Sequence, residues 1–114
     1  VVLARAAVGD ADAVLALDVY LHRLRAGIAA MAAAAGGIDA LVFSGGVGEH
    51  APEVRRRAAE GLAFLELSVD AARNRAVTPD DEVTGGGRVR VLVIAAREDL
   101  EMARGVRQAL SRPR

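Results

Sequence analysis

Cysteine and lysine are both absent from this sequence of 114 residues, and aromatic residues make up only 3% of it. Without cysteine the chain can form neither disulfides nor thiolate zinc sites, and it has no cysteine nucleophile. A composition of this kind is compatible with the reducing cytoplasm, where we expect the protein to be located.

A charge excess of either sign is also absent, because 15 acidic residues balance 15 basic residues, all of them arginine. A protein that binds nucleic acid usually carries a basic excess and aromatic side chains on which bases stack. The aromatic residues here are Tyr20, Phe43 and Phe64. We therefore expect no nucleic-acid partner.

Long apolar runs are missing as well. No stretch reaches the roughly 18 apolar residues of a membrane-spanning helix, and the N-terminus lacks the basic and apolar regions of a signal peptide. The sequence predicts a soluble protein with no membrane partner, and its length fits a single domain. Because it begins at Val1 rather than methionine, we expect a piece of a longer protein.

A long amphipathic helix is predicted over residues 10–35, where apolar residues recur at steps of three and four. They are Val14, Leu17, Leu21, Leu24, Ile28 and Met31. Asp10 or Asp12 can cap its first turn, and Gly36 with Gly37 ends it.

The next segment predicts a strand, a turn and a second helix. Residues 38–44 read IDALVFS, a nearly continuous apolar run that indicates a strand buried on both faces. Residues 45–48 predict a glycine-rich turn, and Pro52 suits the first position of the following helix. The residues of that helix expected to face inward are Val54, Ala58, Leu62 and Leu65.

The second half of the chain predicts a short strand at residues 67–69, a polar surface loop at 74–87 and a strand at 88–95. Residues 97–99 open a last helix. Its apolar side consists of Leu100, Ala103, Val106 and Leu110. This order of elements indicates an α/β layer with a partly parallel sheet. Three strands leave sheet edges open, so we expect the neighbouring strands to lie upstream.

Residues 44–50, with the sequence SGGVGEH, form the first candidate site. Glycines let a ligand approach the backbone closely, and free N–H groups at a helix start attract anions. The pattern predicts a phosphate or nucleotide site, and it is equally compatible with a tight turn that binds nothing. It is not a Walker A loop, a GxGxxG fingerprint or a GxSxG hydrolase elbow.

Glu98 and Asp99, where the last strand meets the last helix, form the second candidate site. Such carboxylates can simply stabilise the positive end of a helix. They can also bind Mg²⁺, which prefers oxygen ligands and needs only one or two carboxylates beside a nucleotide phosphate. In a parallel sheet both candidate sites lie at the carboxyl edge, where α/β folds bind ligands.

Other polar residues are predicted to be structural. Arg55, Arg56 and Arg57 are expected to form a solvated helix face. His22 and His50 are too far apart in the sequence for a metal-ligand motif, and His22 is expected at the surface.

Residues 39–65, DALVFSGGVGEHAPEVRRRAAEGLAFL, resemble the acetate kinase pattern, in which DxLVFTGGIGEN is followed by PxVR and GLxFLG. The likeness continues through residues 88–94, RVRVLVI, to a segment similar to the family's T-[ND]-E-E-L-x-I-A-R. Glu98 falls on the first glutamate of that segment. The resemblance covers nearly the whole chain, although members of the family are several times longer.

The resemblance implies that one short segment contacts the nucleotide, ATP or ADP. Its residues are Gly46, Val47, Gly48, Glu49 and His50. Glu98 is implied to help position magnesium. The implied fold is the actin-like, ribonuclease-H-like fold of the acetate and sugar kinase superfamily, used by a homodimer. Residues 1–114 would be its C-terminal nucleotide-binding lobe.

Acetate kinases convert ATP and acetate to ADP and acetyl phosphate, chiefly by positioning the reactants and neutralising charge. The resemblance places the acyl pocket and the catalytic arginines, histidine and aspartate upstream of this chain, so the chain alone is expected to be inactive. Three alternatives remain: a propionate kinase, another short-chain carboxylate kinase, or a noncatalytic remnant that binds nucleotide or dimerises. Gly48 and Glu49 favour acetate kinase over the butyrate kinases.

Several positions depart from the family pattern. Ser44 replaces threonine and keeps the hydroxyl, and His50 replaces asparagine. Glu66 replaces a glycine, which predicts strain at that turn. Ala96 and Arg97 replace threonine and asparagine or aspartate, so Arg97 brings a positive charge next to the expected magnesium site.

Overall fold

The structure is a computed structural model that describes residues 1–111. These residues form six α-helices, one short 3₁₀ helix and three strands. The helices are α1 (Val2–Ala7), α2 (Ala11–Ala34), α3 (Gly45–His50), α4 (Pro52–Glu60), α5 (Ala71–Ala76) and α6 (Glu98–Ser111), with a short 3₁₀ helix at Ala63–Leu65. The strands are β1 (Ala40–Phe43), β2 (Asp81–Glu82) and β3 (Arg90–Val93).

The three strands form one sheet in the order β1-β3-β2. Strand β1 runs parallel to β3, with Ala40 opposite Arg90 and Phe43 opposite Val93. Strand β2 pairs with the other side of β3 in the antiparallel direction. The predicted α/β layer with a partly parallel sheet is therefore confirmed, and β3 lies at its centre.

Helix α2 begins and ends as its sequence predicts. An Asp10 carboxylate oxygen accepts a hydrogen bond from the Ala13 amide at 3.0 Å. After α2 the backbone is left-handed at Gly36, with φ of 74°, which glycine adopts without a Cβ clash. Of the apolar stripe, Leu17 and Leu21 are buried and Met31 is exposed.

The hydrophobic core lies between the sheet, α2 and α4. Its buried members are Leu17, Leu21, Phe43, Ala51, Val54, Ala58, Leu62, Leu67, Val83, Val89, Val91 and Val93. The inward face predicted for α4 is confirmed for Val54, Ala58 and Leu62, whereas Leu65 is only partly buried.

The prediction that β1 is buried on both faces is wrong for this chain. Phe43 is buried, but Ala40 is exposed and 52% of Val42 is accessible. Within residues 1–111 no strand pairs with the free edge of β1 and no helix covers Val42. A face without a covering layer stays open however apolar its residues are.

Residues 67–87 also differ from their predictions. The strand predicted at 67–69 is only a single bridge between Val69 and Thr84. The predicted surface loop contains the end of α5, strand β2 and the fully buried Val83. These elements are short, and contacts with distant residues rather than local periodicity bury Val83 and Asn74.

The strain predicted at Glu66 is confirmed, because its backbone is left-handed with φ of 61°. A non-glycine residue in this region costs roughly 1–2 kcal/mol. The Glu66 carbonyl accepts a hydrogen bond from the Val89 amide at 3.2 Å, and Arg88 donates to the Glu66 carboxylate at 2.8 Å. Long-range contacts therefore stabilise the strained turn.

Helix α6 follows β3, and none of its described residues is buried. Its apolar side includes Leu100, Val106 and Leu110, all of them exposed. Over residues 1–111, none of the helices has the length and hydropathy of a membrane span.

Candidate functional site

The two candidate sites predicted from the sequence meet at one edge of the sheet. Because β1 and β3 are parallel, the segments that follow Phe43 and Val93 leave the sheet at the same carboxyl edge. The Ile94 amide donates to the Phe43 carbonyl at 2.9 Å, which is the last backbone bond between them. The prediction that parallel pairing brings these segments together is confirmed.

The segment after β1 is a helix rather than the glycine turn predicted from its sequence. The chain reverses at a single residue, Gly45, whose φ is 74°, and residues 45–50 are helical. Gly48 lies within this helix and has no positive φ, so its backbone conformation does not require glycine. Its glycine is required by space, since a Cβ at this position would lie 3.2 Å from the Phe43 carbonyl carbon.

The start of α3 leaves backbone donors available. The first amides of a helix have no acceptor within the helix, and in the described structure Ser44 makes no side-chain capping bond to them. The Gly45 amide is bonded to Glu49, but the adjacent amides belong to Gly46 and Val47, both of which are exposed. Donors of this kind suit a phosphate group.

Glu49 connects the two segments. Its Oε1 atom accepts a hydrogen bond from the Gly45 amide at 2.9 Å and a second from the Ala96 amide at 2.7 Å. Gly45 begins α3, and Ala96 lies two residues before α6. One carboxylate oxygen thus links both parts of the candidate site.

Arg55 is buried, with 1% of its surface accessible, so the prediction that it belongs to a solvated face is wrong. Its guanidinium donates to Asn74 Oδ1 and to the Asn74 carbonyl, each at 2.7 Å. It also donates to the carbonyls of Gly48 at 2.7 Å and Glu49 at 2.9 Å. Burial lowers the pKa of Arg55, but an arginine side chain remains protonated in proteins.

The Arg55 contact shows what sequence reasoning missed. Asn74 is buried as well, and its amide donates to the Pro52 carbonyl at 2.8 Å. The signal was the arginine within the PxVR pattern, which a run of three arginines obscured. Arg56 and Arg57 are the surface members of that run, paired with acidic side chains.

Arg97 is neutralised by Asp80, a residue that the sequence placed in a loop without a role. The Arg97 guanidinium forms an ion pair with the Asp80 carboxylate. Asp80 also accepts a hydrogen bond from the Ala95 amide at 3.1 Å. The bonds from Arg97 and Ala95 lower the pKa of Asp80.

Glu98 is the first residue of α6 and is exposed, with Asp99 and Glu101 in the same turn. Residues 1–111 contain no group of three or more side chains that could enclose a metal ion by themselves. The oxygen donors nevertheless fit magnesium, which commonly takes one or two protein carboxylates and completes its shell with water and phosphate oxygens.

His50 is exposed at the end of α3, and His22 is exposed on α2 as predicted. The described residues therefore bring together the amides of Gly46 and Val47, the side chain of Glu49 and the segment that leads to Glu98.

Comparison with known proteins identifies relatives that match most of the chain. The model of the Acetokinase family matches residues 1–104. The chain is 50% identical over 105 residues to the acetate kinase of Gloeobacter violaceus, an alignment that covers 91% of this chain and 26% of that protein. It is 47% identical over 103 residues to the acetate kinase of Nostoc punctiforme, covering 90% and 25%.

Solved structures of the same kind share the fold. The acetate kinase of Entamoeba histolytica superposes with a TM-score of 0.84 at 25% identity, covering 94% of this chain and 30% of that protein. The propionate kinase of Francisella tularensis superposes with a TM-score of 0.81 at 32% identity, covering 90% and 26%. This chain spans about a quarter of the length of these relatives.

Proposed function

The chain belongs to the acetokinase family, and from this premise we propose that it forms the nucleotide-binding lobe of an acetate kinase. The activity would be transfer of a phosphoryl group between ATP and acetate, giving ADP and acetyl phosphate. The observation that carries the proposal is the link through Glu49, because it joins the segment after β1 to the segment that leads to Glu98.

The helical segment 46–50 would contact ATP or ADP, with Gly46, Val47, Gly48 and His50 as the residues that touch the nucleotide. The first-turn amides of Gly46 and Val47 have no acceptor within the helix and would donate to an anionic group, and Gly46 would allow its close approach. Gly48 places α3 directly against the end of β1. His50, exposed at the far end of this helix, would contact the nucleotide away from its phosphates.

Glu98 would hold magnesium, with Asp99 beside it in the first turn of α6. When bound, the ion neutralises negative charge on the phosphates. Pairing of Arg97 with Asp80 removes a charge that would otherwise repel a cation near Glu98. The family's uncharged or acidic residue is thus replaced by an arginine whose charge is already balanced.

The remainder of the reaction would depend on a longer protein. The relatives named acetate kinase are about four times the length of the matched region, so the acetate pocket and the catalytic residues would lie outside residues 1–114. We propose that this chain is the C-terminal lobe of such an enzyme, that the enzyme is a homodimer, and that it acts in the cytoplasm. Propionate is a second candidate acceptor, because one similar structure is a propionate kinase.

A chimeric enzyme tests the function directly. In the chimera, this chain replaces the matching 105-residue stretch of the Gloeobacter violaceus acetate kinase. We expect residues 1–114 alone to form no acetyl phosphate from ATP and acetate, because phosphoryl transfer requires acceptor, phosphate and metal to be held together. We expect the chimera to be active in the same assay.

The outcomes separate the alternatives. Turnover by residues 1–114 alone would show that the catalytic groups have been assigned to the wrong part of the protein. A chimera that is folded by circular dichroism and elutes as the parent enzyme does, yet neither binds ATP nor turns over, would favour a noncatalytic remnant.

Glu98→Ala in the chimera separates a magnesium ligand from a helix-stabilising residue. If Glu98 is a magnesium ligand, Glu98→Ala should raise the magnesium concentration that gives half-maximal activity by about tenfold or more, because one charged ligand is lost. If Glu98 only interacts with the helix dipole, Glu98→Ala should lower the free energy of unfolding by about 0.3–1 kcal/mol and leave the magnesium requirement unchanged. Glu101→Ala, in the same acidic turn, is the matched control.

A further inference from the structure

The contacts of Glu49 differ from those expected of a side chain that binds a nucleotide. We propose that its carboxylate is a positioning residue, which holds the start of α3 against the segment before α6 and so sets the spacing between nucleotide and magnesium. This inference rests on the proposed function for the meaning of that spacing. The hydrogen bonds themselves are a property of the chain.

Both hydrogen bonds of this carboxylate are accepted from backbone amides of the protein. Oε1 accepts from Gly45 at 2.9 Å and from Ala96 at 2.7 Å, both within the range of good charge-assisted hydrogen bonds. Backbone pairing in the sheet does not hold these two segments together, since its last bond between them is from the Ile94 amide to the Phe43 carbonyl. Beyond that bond, the hydrogen bonds of Glu49 Oε1 to the Gly45 and Ala96 amides connect the two segments.

The backbone of Glu49 is itself held in place. Buried Arg55 donates to the carbonyls of Gly48 and Glu49, and Asn74 holds the same guanidinium from the other side. The side chain of Glu49 therefore extends from a fixed point on the core to the two amides. A positioning residue needs support of this kind, because a mobile anchor would not define a distance.

Charge gives a second argument. A nucleotide phosphate is an anion, and a carboxylate placed in contact with it would repel it. The Oε1 atom of Glu49 is already occupied by two backbone amides of the protein. The neighbouring amides of Gly46 and Val47 remain the donors on the exposed side.

The test compares Glu49→Gln, which retains the Oε1 acceptor, with Glu49→Ala, which removes it. Glu53→Ala is the matched control, because Glu53 is a nearby glutamate on α4 whose partner is Arg56. Amide hydrogen exchange of Gly45 and Ala96 is measured by NMR on the 114-residue chain. The KM for ATP, kcat and the magnesium requirement are measured in the chimera.

We expect Glu49→Ala to accelerate exchange at both amides by about tenfold or more, as loss of a charged hydrogen bond implies. In the chimera it should lower kcat and raise the magnesium requirement together. Glu49→Gln should stay within about threefold of the unchanged protein in every readout, because an amide oxygen accepts the same two bonds.

Unchanged exchange at Gly45 and Ala96 in Glu49→Ala would overturn the proposal. So would a Glu49→Gln variant that keeps both amides protected but raises the KM for ATP by about tenfold or more, since that result would assign the carboxylate to the nucleotide. An inactive unsubstituted chimera would instead contradict the proposed function, and the exchange rates would still decide whether Glu49 links the two segments.

Discussion

Replacement of Arg55 by methionine is expected to destabilise the chain by roughly 3–5 kcal/mol, because each buried acceptor left without a donor costs about 1–3 kcal/mol. Methionine retains an unbranched side chain but none of the five donors. The oxygens of Asn74 and the carbonyls of Gly48 and Glu49 would lose their partner. Urea denaturation followed by circular dichroism measures the loss.

Arg56→Met is the matched control on the same helix. Arg56 forms exposed ion pairs with Glu53 and Glu60, and surface pairs of this kind contribute about 0–1 kcal/mol each. Arg55→Lys should be intermediate, since it keeps the charge but lacks the planar fork that reaches both sides. A loss below about 1 kcal/mol in Arg55→Met would show that the buried contacts do not stabilise the fold.

Gly48→Val is expected to weaken ATP binding in the chimera by about tenfold or more, equivalent to about 1.4 kcal/mol. A Cβ at this position would lie 3.2 Å from the Phe43 carbonyl carbon and 3.5 Å from the Phe43 Cα. Two further methyl groups force α3 away from β1, and overpacking of this kind typically costs about 1–3 kcal/mol. ATP affinity and thermal unfolding should therefore change together.

Substitutions at two other glycines separate the effect of overpacking from the loss of a ligand contact. Gly46→Val should weaken ATP binding with less loss of stability, since a Cβ on Gly46 meets nothing within 4 Å and its backbone is not left-handed. Gly27→Ala, in the middle of α2 with the same free space, should leave ATP affinity unchanged. Full ATP affinity in a folded Gly48→Val variant would remove α3 from the nucleotide site.

The sequence predicted the parts of the fold whose signals are local and repeated. The long helix α2, its cap at Asp10 and its end before Gly36 are all present in the structure. Of its predicted apolar face, Leu17 and Leu21 are buried, whereas Val14 and Met31 are exposed. The alternation of arginine and valine over residues 88–91 predicts that Val89 and Val91 face inward, and both are buried. The meeting of the two candidate sites followed from parallel pairing alone. The nucleotide and magnesium roles of residues 46–50 and Glu98 remain predictions.

Glycine content misled the prediction for residues 45–50. Three glycines in four positions indicated a turn, yet only Gly45 has the left-handed backbone that requires glycine, and the segment is helical. Gly48 is needed because α3 packs directly on the end of β1. A steric requirement of this kind comes from a contact between elements, so spacing along the chain does not distinguish it from a backbone requirement.

By itself the sequence determined the class of fold, the positions of the long helix and the two parallel strands, and the family likeness. These features depend on hydrophobic period, caps and motif residues, each of which lies within a short window of the chain. The tertiary structure alone decided which of three consecutive arginines is buried, that Asp80 neutralises Arg97, and that Glu49 bonds to Ala96 across 47 residues. Such polar contacts are set by distance and direction in space, and no periodicity in the sequence encodes them.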